Sequence, residues 1–249
     1  KNLEYHQGFF NYWWDASNGK IYMAIDKLET PFLYVNSLPA GLGSNDIGLD
    51  RGQIGGSRIV YFQRVGKKVL MTQPNFDFRA VTNDPREQKA VNESFAQSIL
   101  FSFNVEAEAD NILLVDATSF LLRDAHGAAD KIRKMKQGSY TLNEARSAIY
   151  IANTKNFPKN TEMEATLTFV GGADAGRFVN EVAPTTEAIT LRMHHSFVEL
   201  PDSNYHARKY DIRSGFFGTS YFDYGSDFSE PIEKMIINRH RLQKKDPTA

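Results

Sequence analysis

The sequence predicts an α+β fold of predominantly antiparallel β-hairpins, forming a curved sheet or sandwich with two to three helices. Three observations carry that prediction. Asn18-Gly19, Gly66-Lys67 and Asp110-Asn111 each separate two apolar, alternating stretches, and such residues tolerate the positive φ of tight hairpin turns. Residues 162–170 and 189–200 alternate with the period of two expected of half-buried strands. Helical periodicity is confined to about 84–100 and 118–136, so strands and helices do not alternate as a doubly wound fold would require.

The elements follow in order. In 8–28 an aromatic arm (GFFNYWW) and an alternating arm (KIYMAID) flank Asn18-Gly19. Ile21, Met23 and Ile25 share one face, which needs a larger sheet to cover it. Residues 31–38 read as a strand running into a Gly-rich surface loop at 40–56, and 57–73 as a second hairpin around Gly66-Lys67. Asp84 as N-cap, Pro85 in the first turn and Glu87 open a helix whose stripe is Val91, Phe95 and Ile99. Residues 101–118 return to a hairpin, and 118–136 is helical but interrupted by Gly127, with Gly138 as terminator. On 162–170, Met163, Ala165, Leu167 and Phe169 point inward. The stretch 205–228 is loop-like and rich in aromatics and glycine, and 231–242 fits a helix or a last strand equally.

Residues 1–242 are expected to form a single β-rich domain, with a candidate subdivision near 137–160, and 243–249 (QKKDPTA) a linker. Composition removes several functions. The 29 basic and 30 acidic residues nearly cancel, so the electrostatic footprint of a nucleic-acid binder is missing. Without cysteine there is no disulfide, thiolate nucleophile or cysteine zinc site. No apolar run approaches the roughly 20 residues that cross a bilayer, and no signal peptide opens the chain.

The Gly-rich segment 40–56 feeds a strand rather than a helix, which is the wrong context for a phosphate loop, and Asp46 and Asp50 do not fit a calcium loop. His194 and His195 are adjacent on a strand and so face opposite ways: His195 with the apolar Leu191, Met193 and Phe197, His194 with Arg192 and Ser196. They cannot close on one ion. His195 is expected as a hydrogen-bonded core histidine and His194 as exposed. No Gly-x-Ser-x-Gly elbow is present. Core packing is the default expectation for the aromatic stretches 9–14 and 205–228, since large rings dominate interiors. If exposed, Tyr205, Phe216, Phe217, Tyr221, Phe222 and Tyr224 would form a ligand or domain-docking surface.

Specific strings carry a resemblance. Residues 33–55 (LYVNSLPAGLGSNDIGLDRGQIG), 73–79 (QPNFDFR), 93–97 (ESFAQ), 115–127 (VDATSFLLRDAHG), 154–165 (TKNFPKNTEMEA), 194–201 (HHSFVELP), 213–218 (RSGFFG) and 239–247 (RHRLQKKDP) resemble, in order, the N-terminal region of large bacterial zinc-dependent metallopeptidases. The resemblance spans nearly the whole chain. It implies an exported, periplasmic, outer-membrane-associated or extracellular parent, a downstream metzincin-like peptidase domain as partner, and a non-catalytic accessory role for this region. The family's His-Glu-x-x-His-x-x-Gly-x-x-His motif does not occur in these residues. Zinc is therefore expected in the parent's catalytic domain, no cofactor in this fragment, and no catalytic or metal-binding residue is carried over. A peptide- or glycan-binding module using 205–228 is the alternative, and an independent hydrolase with dispersed residues the third reading. The hydrolase would need a pocket gathering a histidine with a carboxylate or hydroxyl.

Overall fold

Local turn chemistry builds the first hairpins. The computed structural model describes residues 3–242, 244, 246 and 248. Strand β1 (Leu3–His6) pairs antiparallel with β2 (Tyr12–Asp15), and β2 with β3 (Lys20–Ile25). The β2–β3 turn is fastened by Asp15, whose carboxylate accepts from the Ser17 and Asn18 amides, while Gly19 takes φ 66°. Strand β4 (Phe32–Ala40) leads into β5 (Gln53–Val65) and β6 (Lys68–Gln73), which turn at Gly66 with φ 60°. After β7 (Phe78–Arg79) and helix α1 (Pro85–Ser94), strands β8 (Ser98–Ala109) and β9 (Ile112–Asp116) turn through Asp110 and Asn111 at φ 50° and 64°. All three expected hairpins form.

Helices α2 (Thr118–Leu121) and α3 (Ala128–Lys134) precede β10 (Tyr140–Ile149), β11 (Lys155–Phe157) and β12 (Asn160–Gly171). Helix α4 (Arg177–Asn180), β13 (Ala188–Glu199), β14 (Gly218–Asp223) and β15 (Glu233–Ile237) complete the chain. The structure is therefore β-rich, with four helices and a large open antiparallel sheet of twelve strands, ordered β1-β2-β3-β9-β8-β6-β5-β4-β13-β12-β10 with β11 on β12. A second sheet holds three strands in the order β15-β14-β7, with β7 parallel to β14. No helix among the described residues is long and apolar enough to cross a membrane.

The chain divides into two compact units. Unit 1 is Lys1–Thr72 with Ile99–Leu200, and unit 2 is Gln73–Ser98 with Pro201–Ala249. Of the expected linker 243–249, Gln243, Lys245, Pro247 and Ala249 lie outside the described residues.

Unit 1 has two apolar clusters. In the first, Phe10 packs edge-on against Phe32, Phe62 and Phe197 at centroid distances of 5.2, 5.4 and 6.0 Å, all of them buried. Such pairs add about 0.5–1.5 kcal/mol each beyond the area they bury. The second gathers Leu38, Leu167, Phe169, Leu191 and Met193 with Ile132 of α3. Ile47 and Leu49 of the Gly-rich segment also belong to it, so that surface segment tucks two apolar side chains inward while Gly43, Asn45, Asp46, Arg51 and Gly52 stay exposed. Residues at opposite ends of the strand path meet as well: the Phe9 amide donates to the Phe157 carbonyl (2.8 Å) and the Phe10 amide to the Thr161 hydroxyl (2.9 Å).

One helical expectation is corrected and another is met. The stripe predicted over 84–100 stops at Ser94, because Phe95 turns extended (φ −122°, ψ 123°) and stacks flat on Phe78 at 3.9 Å. Ile99 instead lies on β8, exposed. The helical stretch over 118–136, expected to be interrupted by Gly127, forms two short helices. Gly127 adopts φ 70° between them, and the Asp124 carboxylate accepts from the Ala128 and Ala129 amides at 2.8 and 3.0 Å, starting α3 afresh. At its end Lys136 takes the left-handed conformation, two residues before Gly138.

Candidate functional site

Unit 2 buries little apolar surface. Among its described residues only Val91 and Ile237 are buried hydrophobics, whereas Val81, Ile212, Phe216, Phe217, Phe228 and Leu242 are exposed. Core packing therefore holds for Phe9, Phe10 and Tyr12 but is corrected for 205–228. A three-stranded sheet and one ten-residue helix cannot enclose so many large side chains. A buried carboxylate helps to organise it: Asp223 accepts from the Val81 amide (2.9 Å) and the Gly225 amide (3.0 Å).

The six ring residues singled out from the sequence are not gathered into one surface. Alternation along β14 sends Tyr221 and Phe222 to opposite faces. Phe222 stacks with Phe78 at 5.5 Å, and Tyr224 meets Phe95 at 5.3 Å, so these two rings anchor the end of α1. Tyr221 lies under the Arg79 guanidinium at 4.2 Å, and Tyr205 near that of Arg239 at 5.3 Å. Phe216 and Phe217, 55% and 88% exposed, make no ring contact among the described residues. Tyr221 borders a cavity of about 460 Å³ that Lys209, Tyr210, Asp223, Lys234 and Met235 also line.

Unit 1 holds two polar clusters on opposite faces of β13. On one face the His194 ring is wedged between two carboxylates, with Nε2 2.7 Å from Glu162 and Nδ1 3.2 Å from Glu164. A carboxylate only accepts, so this geometry favours the protonated ring, which donates from both nitrogens. Burial pulls its pKa down, but the hydrogen bonds and charges of Glu162 and Glu164 outweigh that and raise it. Burial pushes Glu162 up, and its bonds from His194, Ser196 and Asn160 more than offset this, leaving it lowered. Glu164 is buried, and Arg192 (3.3 Å) and Asn153 (3.2 Å) complete its contacts. The expectation that His194 is exposed is corrected: only 20% of its side chain remains accessible. The residues that make the clamp, Glu162 and Glu164, alternate outward in the sequence, but the pairing of Glu164 with His194 depends on the β12–β13 register.

This cluster borders a shallow pocket with Ser37, Pro39 and Lys155. It has the residue types a hydrolase would need but not the connectivity. Ser196 donates to Glu162 (2.5 Å) rather than to a histidine. Among the described residues no group of three or more His, Cys, Asp or Glu is arranged to hold a metal ion.

On the other face His195 is fully buried, as expected of a core histidine. Burial first, then the charge of Arg123, pushes its pKa down to about 3, so the ring is neutral. Its Nε2 donates to the Leu121 carbonyl (3.2 Å), its Nδ1 accepts from the Tyr34 hydroxyl (2.8 Å), and that oxygen accepts from Arg123 (3.1 Å). Two residues along β4, Asn36 contacts His126 (3.2 Å), whose other nitrogen meets Lys131 (2.7 Å). Burial lowers the pKa of both His126 and Lys131.

Compared with known proteins, the sequence matches one family, described as a domain of unknown function (DUF5117), over residues 52–245. No curated protein and no solved structure matches it.

Proposed function

The chain belongs to the DUF5117 family, a domain of unknown function, and we propose that it is a non-catalytic accessory region of an exported bacterial zinc-dependent metallopeptidase. In this proposal it packs on the catalytic domain or positions substrate for it. The observation that carries it is the apolar surplus of unit 2, which among its described residues buries only Val91 and Ile237 as apolar side chains while leaving Phe217 88% exposed and Phe228 fully so. Ten of the nineteen exposed large apolar side chains among the described residues lie on this smaller unit, an excess that supports its being covered by a partner. The strings that resemble the peptidase family supply the identity of that partner, a peptidase domain of the same polypeptide. We also infer that the long sheet curves, since Phe9 and Phe10 bond to Phe157 and Thr161 from the other end of its strand path.

The test pairs two measurements. Purified chain, with and without zinc, is assayed on casein and on peptide libraries, and the chain is then titrated with a separately expressed downstream segment. The proposal expects no zinc-dependent cleavage, and binding that Phe217→Ala with Phe228→Ala weakens. Zinc-dependent cleavage by the chain alone, or a downstream segment lacking a His-Glu-x-x-His motif, overturns it.

A second reading, a peptide- or glycan-binding module, draws on the cavity beside Tyr221 in unit 2. Tyr221→Ala would then abolish ligand binding in glycan-array or peptide-array experiments and leave docking of the downstream segment intact.

A further inference from the structure

We propose that Arg58 and Arg123 form an oxyanion site in unit 1, taking a carboxylate or phosphate group beside the Tyr34 hydroxyl. The register builds it. Arg58 on β5 is the cross-strand partner of Tyr34 on β4, and His195 on β13 is the partner of Asn36. Cross-strand partners share a face, so Arg58 stands on the face that holds Tyr34 and Asn36. Arg123 reaches the same place from the segment after α2, donating to the Tyr34 hydroxyl at 3.1 Å with its guanidinium over the Phe120 ring at 4.3 Å. Arg58 reaches Asn36 at 3.4 Å and the Gly56 carbonyl at 3.2 Å.

Both guanidiniums are half-buried, and among the described residues neither pairs with a carboxylate. Arg64, Arg177, Arg192 and Arg241 by contrast each have an acidic partner. The Nε of Arg123 is buried with no hydrogen-bond partner at all. Asp124 and Asp50 are engaged elsewhere: Asp124 accepts from the Ala128 and Ala129 amides, and Asp50 from Gln53 (2.6 Å). Lys131, in contact with His126 beyond Asn36, adds to the positive potential. A half-buried cation without a counter-charge is costly, and an oxyanion relieves two at once through charge-assisted bonds that suit the guanidinium fork.

The glycines of β5 let the Asn36 and Arg58 side chains lie close against that strand. A Cβ at Gly55 would overlap the Asn36 amide, and one at Gly56 would come within 2.8 Å of an Arg58 nitrogen. Both charges also act on Tyr34, whose hydroxyl is thereby held lower than its burial alone would set it.

Titrating the full chain with inorganic phosphate and, separately, with acetate tests this, with chloride at matched ionic strength as control. Backbone amide NMR shifts of Gly55 and Gly56, together with calorimetry, report binding. The expected result is saturable binding of one anion over chloride, phosphate preference identifying a phosphate group and acetate preference a carboxylate. Arg58→Gln should weaken it by about tenfold or more without lowering the melting temperature. Arg123→Lys, which keeps the charge and removes the fork, should also weaken it. Should Arg123→Lys fail to fold because that side chain packs on Phe120, Arg58→Gln decides alone. Absence of saturation by either anion, equal response to chloride, or undiminished binding by Arg58→Gln overturns the proposal.

Discussion

His194 and His195 are neighbours in the chain whose pKa values are pushed in opposite directions: one ring is clamped by Glu162 and Glu164, which favour its protonated form, and the other is a neutral ring hydrogen-bonded to Tyr34 and Leu121. The peptide bond between them separates the two faces of β13. Each face imposes its own protonation state, acidic side chains on one and an apolar interior with Arg123 on the other.

His194 makes stability depend on pH. Its folded pKa lies above the ordinary 6.5, so its contribution is fully present below that value and is lost as pH rises through the folded pKa. Glu162 acts in the opposite sense, since its lowered pKa gives stability that is lost as pH falls below the usual carboxylate range. Urea denaturation at a series of pH values should show stability declining on the alkaline side of neutrality, and His194→Gln should flatten that decline. A decline unchanged in His194→Gln would place its origin elsewhere.

His195 should not titrate near neutrality. Imidazole ¹⁵N and ¹³C shifts should hold the neutral Nε2–H tautomer from about pH 5 to 8, because its pKa is pushed down to about 3. His195→Ala removes a fully buried ring and strands the Tyr34 hydroxyl, which we expect to cost about 3 kcal/mol or more in denaturant midpoint measurements.

Phe10 and Phe217 provide a contrast within one residue type. Phe10 is fully buried among Phe32, Phe62 and Phe197, so Phe10→Ala should destabilise by about 3–5 kcal/mol. Phe217 is 88% exposed, and Phe217→Ala should leave the melting curve within about 0.5 kcal/mol of the parent while weakening partner binding. Thermal unfolding of the two variants side by side checks both.

Gly172 should not tolerate a side chain. Its φ is 76°, and a Cβ there would overlap the Thr186 carbonyl, which is backbone and cannot swing aside. Gly172→Ala should cost about 1–3 kcal/mol or more, whereas Gly19→Ala, at φ 66° with open space around it, should cost only the left-handed conformation, about 1 kcal/mol. Equal losses in the two variants would contradict this.

The sequence by itself determined what depends on neighbours. The turns at Asn18-Gly19, Gly66-Lys67 and Asp110-Asn111 were legible because positive φ is a property of one or two residues. The inward set Met163, Ala165, Leu167 and Phe169, the start of α1 at Asp84-Pro85, and the opposite facing of His194 and His195 were legible because periodicity fixes them. Tertiary structure alone decided the rest. Whether Phe95 continued a helix or left it to stack on Phe78, and whether the rings of 205–228 found a core, rested on partners distant in sequence. The pKa of His194 is raised because Glu162 lies 32 residues away in sequence but one strand away in space, and His195 stays neutral because burial and the charge of Arg123, 72 residues away, hold it so. Local preference sets which way a side chain points. The strand that arrives opposite it sets its charge and its burial, and that is a choice of the whole sheet.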